Sequence, residues 1–489
     1  MTEKESRRSF LRKGTIGLAG ISVVPNIVMG KSTGDMSRVA PSDKLNIAAV
    51  GIGGMGRSNI NHMTTENFVA MCDVDWDYAA KTFNDFPKAK RYKDYRKMLD
   101  EMGNSIDAVL VATADHTHCL IAADSIIRGK HVYVQKPLTH SVYESRLLTK
   151  LAEKYKVATQ MGNQGASKEG TNLTLEWLWN DEIGEVTRVD ASTDRPIWPQ
   201  GLNRPEKEDL VPETLDWDLF IGPAPLRKYN HIYHPWNWRG WWDFGTGALG
   251  DMACHILHVA FEGLALKYPD RVQGTSTVVM ADSCPTAEKV MYHFPARESK
   301  YKLKMPEVDV TWYDGGLTPP RPAGADGKDL SNCTIFYGTK DTLICGSHGG
   351  NPWLTSGRVP KAPKRRREIK VSHEQDWIRA CKETPENRVK TASDFSLAGP
   401  FNEMVVMGVL AVRLQGLKKE LLWDGENMKF TNIGSDEKLS FRLENNFSVI
   451  NGDPTWHNID TDPVNAQEFA ETLIKHNYRE GWKLPEMPA

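Results

Sequence analysis

A glycine-rich turn between an apolar run and a helix-forming stretch constrains the fold of this chain most strongly. Residues 45–50 are mostly apolar and end in Gly51-Ile52-Gly53-Gly54-Met55-Gly56, after which residues 57–63 are compatible with a helix. This is Gly-x-Gly-x-x-Gly directly after a predicted strand, the pattern that cradles a diphosphate at a helix start. Gly51 permits the tight turn, Gly53 lets the backbone approach the phosphates, and Gly56 lets helix and strand pack closely. The sequence therefore predicts a dinucleotide-binding unit that begins near residue 45.

An acidic residue follows the second predicted strand. Residues 68–72 form another apolar run that ends at Asp73, about twenty residues beyond the glycines. A carboxylate at this point hydrogen-bonds the ribose hydroxyls of the adenosine and repels a 2′-phosphate, which favours NAD over NADP. A glycine-rich turn followed by a surface aspartate is the alternative interpretation, and the complete strand–turn–helix–strand context disfavours it.

The alternation of apolar runs and helix-like stretches continues beyond the second strand. The pattern predicts strands at 108–112, 131–134 and 158–161, with helices at 120–128 and 142–154 between them. Such alternation predicts an α/β fold with a doubly wound parallel sheet, whose ligands bind at the carboxyl ends of the strands. These ends carry Thr113-Ala114-Asp115-His116-Thr117-His118, Gln135-Lys136-Pro137 and Gly162-Asn163-Gln164.

The first residues match an export signal rather than part of the fold. Ser-Arg-Arg-Ser-Phe-Leu-Arg-Lys at 6–13 precedes a mildly apolar, glycine-rich stretch that is too short for a convincing membrane span. This pattern is typical of the twin-arginine route, which exports folded proteins. We therefore expect residues 1–40 to be a twin-arginine signal and linker, and the protein to be periplasmic; a disordered basic tail is the alternative.

Length, charge and cysteine content exclude several classes of protein. A chain of 489 residues is expected to form two or three domains, and a hydrophobic content of 40% suffices for their cores. The formal net charge of -2 gives no indication of nucleic acid or an anionic membrane as a partner. The 7 cysteines are scattered without a Cys-x-x-Cys pair, so neither a disulfide framework nor a zinc cluster is predicted.

Several segments, taken in order, resemble one known family. The chain is similar to the Gfo/Idh/MocA family (glucose–fructose oxidoreductase / inositol dehydrogenase) in the motif at 51–56, the strand ends at 113–118 and 136–137, and two later segments. One of these, at 247–255, is similar to the Gly-rich Asp-x-x-x-His segment of that family, and the other is the closing Tyr-Arg-Glu-Gly-Trp at 478–482. The resemblance covers residues 44 to about 485.

The resemblance implies two domains after the signal. Residues 41–165 are expected to form a NAD(P)-binding Rossmann domain. Residues 166–489 are expected to form an α+β domain with a large open, mostly antiparallel sheet, which covers the nicotinamide and supplies substrate and oligomer contacts. Two positions depart from the family: Gln135 stands where it usually has glutamate, and His258 replaces its usual acid.

The cofactor site follows from the glycine motif, Asp73 and the strand ends. The residues expected to bind the cofactor are Gly51, Ile52, Gly53, Gly54, Met55, Gly56, Asp73, Thr113, His118, Gln135, Lys136 and Gln164. The resemblance places His118 near the nicotinamide. We expect the cofactor to be NAD rather than NADP, and to be tightly bound.

Three residues are predicted to be catalytic: Lys136, Asp251 and His255. Oxidation of a hydroxyl needs a group that binds or deprotonates it, and Lys136 lies at a strand end beside the rigid Pro137. Asp251 and His255 are four residues apart, on one helix face, where they can orient a hydroxyl and relay its proton. A surface lysine and a capping aspartate with a core histidine are the alternatives. His258 completes Asp-x-x-x-His-x-x-His, but no metal site is predicted, because the family chemistry needs no metal.

An aromatic segment at 233–244 is the predicted substrate site. Aromatic rings stack on sugar rings, and the polar groups beside them take hydroxyls. A hydrophobic clamp between domains or protomers is the alternative, and the two roles are compatible. The residues expected to bind substrate are Tyr233, Trp238, Arg239, Trp241 and Trp242.

The expected activity is NAD(P)-dependent oxidation of a hydroxyl of a sugar or glycoside. Because free NAD is scarce outside the cytoplasm, an exported enzyme must recycle its bound cofactor with an electron acceptor or a second substrate. A redox-cycling glycosidase, which oxidises, eliminates, hydrates and reduces, is the second hypothesis, with Tyr233 as a candidate for that route. A non-catalytic nucleotide- or sugar-binding protein is the third. The resemblance also implies a homo-oligomer.

Overall fold

The glycine motif opens a parallel sheet in the computed structural model, which describes residues 43–298, 301 and 303–488. The strands of this sheet are β1 (Asn46–Val50), β2 (Asn67–Cys72), β3 (Lys90–Tyr92), β4 (Ala108–Val111), β5 (His131–Val134) and β6 (Thr159–Met161). They pair in parallel in the order β3-β2-β1-β4-β5-β6, which is the strand order of Rossmann folds. The predicted export signal, residues 1–40, lies outside the described residues.

Helices connect these strands, as the alternating pattern predicts. They are α1 (Gly54–His62), α2 (Ala80–Asp85), α3 (Tyr95–Met102), α4 (His118–Ile127) and α5 (Val142–Tyr155). The predicted strands and helices between 108 and 161 are confirmed, with ends that differ by no more than one or two residues. α5 begins where it does because Ser141 and Glu144 form a capping box.

The rest of the chain builds a larger sheet and several small ones. The strands are β7 (Val186–Ser192), β8 (Arg271–Ser276), β9 (Glu288–Phe294), β10 (Arg297–Glu298), β11 (Lys304–Met305), β12 (Val308–Tyr313), β13 (Cys333–Gly338), β14 (Thr342–Gly346), β15 (Trp353–Leu354), β16 (Leu421–Asp424), β17 (Lys429–Phe430), β18 (Lys438–Leu439), β19 (Arg442–Ile450), β20 (Asp453–Asp460) and β21 (Val464–Asn465).

The large sheet has the order β15-β14-β13-β7-β12-β9-β8-β16-β17. Its pairs are antiparallel except for β7 and β12, which run parallel. The predicted large, mostly antiparallel sheet is therefore confirmed. The remaining helices are α6 (Glu169–Trp179), α7 (Trp217–Ile221), α8 (Gly247–Ile256), α9 (His258–Gly263), α10 (His373–Lys382), α11 (Phe395–Arg413) and α12 (Ala466–Ile474).

The longest of these helices, α11, packs against elements of both halves of the fold. It lies against α5 on the Rossmann side and against β8 of the large sheet. Its length and composition would suit a membrane span, but 83% of its most apolar window is buried within the described residues. This burial is the property of a core helix.

One later helix completes the Rossmann core. α10 comes from far beyond the last parallel strand, yet its Trp377 and Ile378 pack in the same apolar cluster as Ile47 and Leu110. The chain therefore crosses back from the large sheet to the dinucleotide-binding unit before it returns through α11.

The hairpin β19–β20 leaves one apolar face uncovered by the described residues. Phe447 and Trp456 are cross-strand neighbours on this face, with ring centroids 5.2 Å apart, and they are 60% and 63% exposed. Val449 continues the same face and is also exposed. An isolated two-stranded hairpin is marginally stable in water, so this face has the properties of a contact surface.

Candidate functional site

The glycines of the motif are required by close approaches of the backbone. Gly51 has φ +76°, and a Cβ added there would lie 2.5 Å from the carbonyl oxygen of Ala112. A Cβ on Gly56 would lie 1.9 Å from the carbonyl oxygen of Gly51. These contacts bring the start of α1 against β1 and β4, so that the free N–H groups of the helix face the carboxyl end of the sheet.

The third close approach involves a tyrosine. A Cβ on Gly53 would lie 2.2 Å from Cε1 of Tyr78, whose ring covers the glycine loop from the other side. Tyr78 is half-exposed and lines the cavity described below. The ring packs directly on Gly53, so a side chain at this position would displace it.

Asp73 stands at the carboxyl end of β2 beside the glycine loop. Its Oδ2 accepts a hydrogen bond from the backbone N–H of Ile52 (2.8 Å), and its Oδ1 accepts one from that of Asp75 (3.0 Å). Burial raises the pKa of this carboxyl, against the lowering effect of those hydrogen bonds. Each oxygen retains lone-pair capacity for a ribose hydroxyl. The glycine cradle, the helix start and this carboxylate together fit the phosphates and adenosine ribose of a dinucleotide.

A cavity of about 900 Å³ runs from the glycine loop to residues of the second half of the chain. This volume lies at the upper end of the range for small-molecule sites and suits a cofactor with its substrate. The predicted site residues that line it are Gly51, Gly53, Gly54, Met55, Asp73, Thr113, Gln135, Lys136, Gln164, Trp238, Arg239, Asp251 and His255.

Lys136 forms an ion pair across the cavity with Asp251. Its Nζ lies 2.6 Å from Oδ1 of Asp251 and donates a second hydrogen bond to the backbone carbonyl of Asp251 at 3.1 Å. Burial would raise the pKa of the Asp251 carboxyl, but the charges of Lys136 and Arg239 outweigh burial and lower it. Asp251 is therefore a carboxylate at neutral pH, and it holds the lysine at the end of β5.

Arg239 supports the same carboxylate from the aromatic segment. Its Nε lies 3.3 Å from Oδ1 of Asp251, and its guanidinium stacks on the rings of Trp236 and Trp238 at 4.0 and 4.2 Å. Stacking of this kind fixes a guanidinium plane more firmly than a single ion pair does. Trp236 is 47% exposed, so its ring also presents a free surface at the cavity.

His255 lies one turn along α8 from Asp251 and is only 8% exposed. Burial, together with the nearby charge of Lys136, holds the pKa of its imidazole well below the usual range, so the ring is neutral at pH 7. Its Nδ1 is buried and has no hydrogen-bond partner among the described residues. A neutral imidazole at a cavity wall can accept a proton from a hydroxyl group.

Gln135 does not contact the amine of Lys136. Its amide Nε2 donates instead to Oδ1 of Asn59 (2.8 Å), and Asn59 donates to Glu374 at 2.9 Å. The negative partner of the lysine is thus Asp251 rather than the residue before it. Where the family usually has glutamate, this protein has an amide that takes part in a buried series of hydrogen bonds.

Three of the residues predicted to bind the cofactor do not line the cavity: Ile52, Gly56 and His118. The N–H of Ile52 anchors Asp73, and Gly56 permits the helix packing described above. His118 is buried, with its ring nitrogens 2.8 and 3.1 Å from the carbonyl oxygens of Pro137 and Thr113. Burial lowers the pKa of His118 to about 4, so the ring has one N–H and donates to only one of them. It braces the turn that carries Lys136.

The aromatic segment divides between cavity and core, which differs from the expectation for three residues. Tyr233, Trp241 and Trp242 are 2%, 0% and 5% exposed and do not line the cavity. Tyr233 and Trp241 belong to one apolar cluster, with ring centroids 4.8 Å apart. Their rings are therefore a structural clamp, and the cavity receives Trp238 and Arg239 from this segment.

The histidine that follows His255 in sequence serves the structure. Nε2 of His258 lies 3.1 Å from Glu262, which also pairs with Arg366 at 2.9 Å. Burial would raise the pKa of Glu262, but Arg366 and His258 lower it to about 2. No group of three metal-ligating side chains occurs among residues 43–298, 301 and 303–488.

Tyr78, His234 and His348 line the cavity although they are not among the predicted site residues. Tyr78 follows β2 and was overlooked because Asp73 accounted for that strand end. His234 reaches the cavity and places its Nε2 2.9 Å from Oδ2 of Asp75. His348 follows β14 between Gly346 and Gly349-Gly350, and a histidine in a glycine-rich turn after a strand is a signal that the sequence did offer.

Similarity to known proteins agrees with this geometry. A family model described as "Oxidoreductase family, NAD-binding Rossmann fold" matches residues 45–163, and one described as the C-terminal alpha/beta domain of that family matches residues 180–296. Over 212 residues the chain is 27% identical to an alpha-N-acetylgalactosaminidase from Shewanella oneidensis, covering 38% of this chain and 45% of that protein. The chain thus spans about half the length of the curated relatives it matches.

Two solved structures have a similar fold. One is the WlbA dehydrogenase from Bordetella pertussis in complex with NADH and UDP-GlcNAcA, with a TM-score of 0.52, 14% identity, and coverage of 78% of this chain and 99% of that chain. The other is an inositol dehydrogenase homolog from Azotobacter vinelandii complexed with NADH and myo-inositol, with a TM-score of 0.53, 14% identity, and coverage of 78% and 98%. With its glycine cradle, its Lys136–Asp251 pair and the matches of both domains, this chain belongs to the Gfo/Idh/MocA oxidoreductase family, whose first domain is a NAD-binding Rossmann fold.

Proposed function

We propose that this protein is an NAD-dependent oxidoreductase that oxidises a hydroxyl group of a sugar or glycoside. The observation that carries the proposal is the shared cavity, in which Lys136, Asp251 and His255 lie beside the dinucleotide-binding loop. Enzymes of this kind need a hydroxyl-binding group, a proton acceptor and a hydride acceptor in one space. We assign the first two roles to Lys136 and His255, and the cofactor held by the glycine loop would fill the third.

The cofactor, when bound, supplies the hydride acceptor. The chain itself must hold the substrate oxygen and remove its proton. The ammonium of Lys136 has three N–H groups, of which two are used by Asp251, so one is left for a substrate oxygen. The neutral His255 takes the hydroxyl proton, and the positive charge of Lys136 stabilises the negative charge that develops on the oxygen.

A carbohydrate is the substrate class that the cavity walls favour. Trp236 offers exposed aromatic surface and Trp238 contributes an edge of its largely buried ring, while Arg239 and Asp251 are hydrogen-bonding groups beside them. This combination suits a ring that is apolar on its faces and polar at its edges. The names of the similar proteins, which include a galactosaminidase and complexes with myo-inositol and a nucleotide sugar, support the same class.

Product analysis tests the proposal. Purified full-length protein is incubated with a panel of simple glycosides, inositols and free sugars, and products are analysed by mass spectrometry. We expect a product two hydrogens lighter than its substrate, and a Lys136→Met variant that forms none. Absence of any oxidised product across the panel, from protein that binds NAD, would contradict the proposal.

A redox-cycling glycosidase is the second candidate function. The similarity to an alpha-N-acetylgalactosaminidase favours it. The same residues could serve both routes, because both begin with the same oxidation. Tyr233, the tyrosine considered for that route in the sequence, is buried in the apolar core, so the elimination step would need another acid. Released aglycone without net NADH or ketosugar would identify the glycosidase. Binding of sugar and NAD without either product would identify a non-catalytic binding protein.

We also propose that the protein is exported by the twin-arginine route and acts in the periplasm with tightly bound NAD. The arginine pair at 7–8 supports export, and Tyr78 and His234, which line the cavity, support slow release of the cofactor. An electron acceptor or a second substrate would then reoxidise the nucleotide in place. Immunodetection in periplasmic fractions, lost on Arg7→Lys and Arg8→Lys exchange, tests the localisation.

A homo-oligomer completes the proposal. The apolar face of the β19–β20 hairpin is uncovered by the described residues, and a second copy of this chain is the partner we assign to it. Exposed apolar surface of this kind on a two-stranded hairpin favours association over a monomer.

A further inference from the structure

The turn after β14 brings a second histidine against His255. The rings of His255 and His348 are stacked, with centroids 3.9 Å apart and an angle of 22° between their planes. Both side chains line the cavity that contains Lys136 and Asp251. The two histidines are 93 positions apart in the sequence, so their contact is a product of the fold.

The backbone at His348 is held in an unfavourable conformation. Its φ of 55° and ψ of 34° lie in the left-handed region, which non-glycine residues seldom adopt. Such strain persists only where the surrounding structure enforces it, and it concentrates at functional sites. The ring is further fixed by Ser347, whose Oγ lies 3.1 Å from Nδ1 of His348.

Two glycines on a neighbouring segment make room for this turn. A Cβ on Gly165 would lie 2.5 Å from the carbonyl carbon of His348, and a Cβ on Gly170 would lie 2.2 Å from the carbonyl oxygen of Gly349. Both glycines belong to the chain that follows β6, next to Gln164. The close approach of the two segments fixes the distance from the His348 turn to the cofactor side of the cavity.

We propose that His348 is a positioning residue for His255, the proton acceptor of the proposed oxidation. Its ring lies flat against one face of His255, sets the plane of that imidazole, and keeps water from that face. His255 then presents a nitrogen to the substrate hydroxyl in a fixed direction, in a site where Lys136 holds the oxygen. This inference rests on the proposed function for its catalytic meaning, but the contact between the two rings does not depend on it.

The electrostatic surroundings agree with a neutral pair of rings. Burial, followed by the charges of Lys136 and Lys168, lowers the pKa of His348 to about 4, and burial is also the largest cause of the low pKa of His255. The charged and titratable groups that act on the two rings are Lys136, Lys168, Arg195, Asp251 and His373. Removing the His348 ring would admit water to His255 and so raise its pKa toward the ordinary value.

The test uses His348→Asn and His348→Gly, which remove the ring but tolerate a positive φ, so the turn keeps its backbone conformation. We expect a fall in kcat of about tenfold to a hundredfold, with an almost unchanged Kd for NAD, and an acid limb of the kcat profile at higher pH. In a His255→Gln background, the same substitutions at His348 should lower kcat only slightly further. Gly165→Ala displaces the turn from the other side, so it should lower kcat and shift the acid limb in the same direction as the His348 variants.

A spectroscopic measurement separates this inference from the proposed function. Histidine-selective NMR of full-length protein, with His255 assigned through His255→Gln, follows the titration of that ring. A rise in the pKa of His255 in both His348 variants supports the contact, even if no substrate is oxidised and the proposed function fails. An unchanged titration of His255, or a loss of kcat that persists undiminished in the His255→Gln background, would overturn the proposal.

Discussion

The amine of Lys136 lies 2.6 Å from Oδ1 of Asp251, although the two residues are 115 positions apart in the chain. The lysine lies just after β5 of the dinucleotide-binding sheet, and the aspartate lies on α8 in the second half of the chain. The pair therefore lies in the cavity that the cofactor loop and the aromatic segment also line. With side chains only 12% and 15% exposed, it is shielded from the screening that weakens surface ion pairs.

The ion pair is expected to be needed for catalysis but not for cofactor binding. Lys136→Met removes the N–H that remains for the substrate and should lower kcat/KM by about 10² to 10⁴. Asp251→Asn keeps a hydrogen-bond acceptor but loses the charge, and a smaller loss is expected. Steady-state kinetics and NAD titration measure both effects, with the exposed Lys154→Met as control. Equal losses in the control, or full activity in Lys136→Met, would contradict this assignment.

Two glycine-to-alanine variants should distinguish the effect of steric crowding by a new Cβ from the effect of a positive φ angle. Gly56→Ala places a Cβ 1.9 Å from the carbonyl oxygen of Gly51 and is expected to destabilise the fold by about 1–3 kcal/mol and to weaken NAD binding. Gly129→Ala is the matched control: it has φ +74° but nothing within 4 Å, and should cost only about 1–2 kcal/mol. Thermal unfolding and NAD titration of both variants check the difference, and intact NAD binding in Gly56→Ala would refute the role of the cradle.

Asp73 is expected to set the preference for NAD. Asp73→Ser removes the carboxylate that repels a 2′-phosphate, so the Kd for NADP should fall relative to that for NAD. Because the carboxylate also accepts hydrogen bonds from Ile52 and Asp75, the variant should be less stable as well. Fluorescence titration with NADH and NADPH measures the ratio, and the exposed Asp77→Asn serves as control. An unchanged ratio would remove Asp73 from the ribose site.

Short-range signals in the sequence were sufficient to predict the Rossmann sheet and to single out Gly51, Lys136 and Asp251, which line the cavity. Glycine spacing, the acid after β2 and the lysine after β5 are short-range patterns whose geometry is fixed by strand and helix, and the Rossmann sheet follows from them. Trp241 and Trp238 could not be distinguished in this way, because a tryptophan of the core and a tryptophan at the cavity give the same local sequence pattern. The glycine-rich turn that carries His348 is visible in the sequence, but its position beside His255 depends on Gly165 and Gly170 in a distant segment.

A buried carboxyl should make the stability of the protein depend on pH. Burial raises the pKa of Asp115 from 3.8 to about 7, although Arg239 and the hydroxyl of Thr246 oppose burial. A raised folded-state pKa means stability that is complete below about pH 4 and is lost as the pH rises to about 7. Asp115→Asn should therefore gain stability relative to the wild type at pH 8, by at most about 4 kcal/mol, but not at pH 4. Thermal unfolding at both pH values checks the sign, and an equal difference at both would refute it.

The hairpin is expected to mediate self-association. Trp456→Ser, combined with Phe447→Ser, removes the exposed apolar pair of β19 and β20 and should lower the oligomeric mass. His457→Ser is the control, because adjacent strand residues point to opposite faces. Size-exclusion chromatography with light scattering measures the mass. A monomeric wild type, or a double variant that associates like the wild type, would contradict a second copy as the partner.

Hydride transfer from substrate carbon to bound nucleotide is the defining step of the proposed oxidation, and it can be observed in a single turnover. Full-length protein is purified without added cofactor and mixed in a single turnover with a glycoside or inositol that carries deuterium at its carbinol carbons. The near-ultraviolet absorbance of NADH is recorded, and the nucleotide is then released and weighed by mass spectrometry. We expect an absorbance rise and one deuterium on the nucleotide, both lost in Lys136→Met. Protein that neither contains nor binds NAD, or bound NAD that gains no deuterium from any substrate of the class, would contradict it.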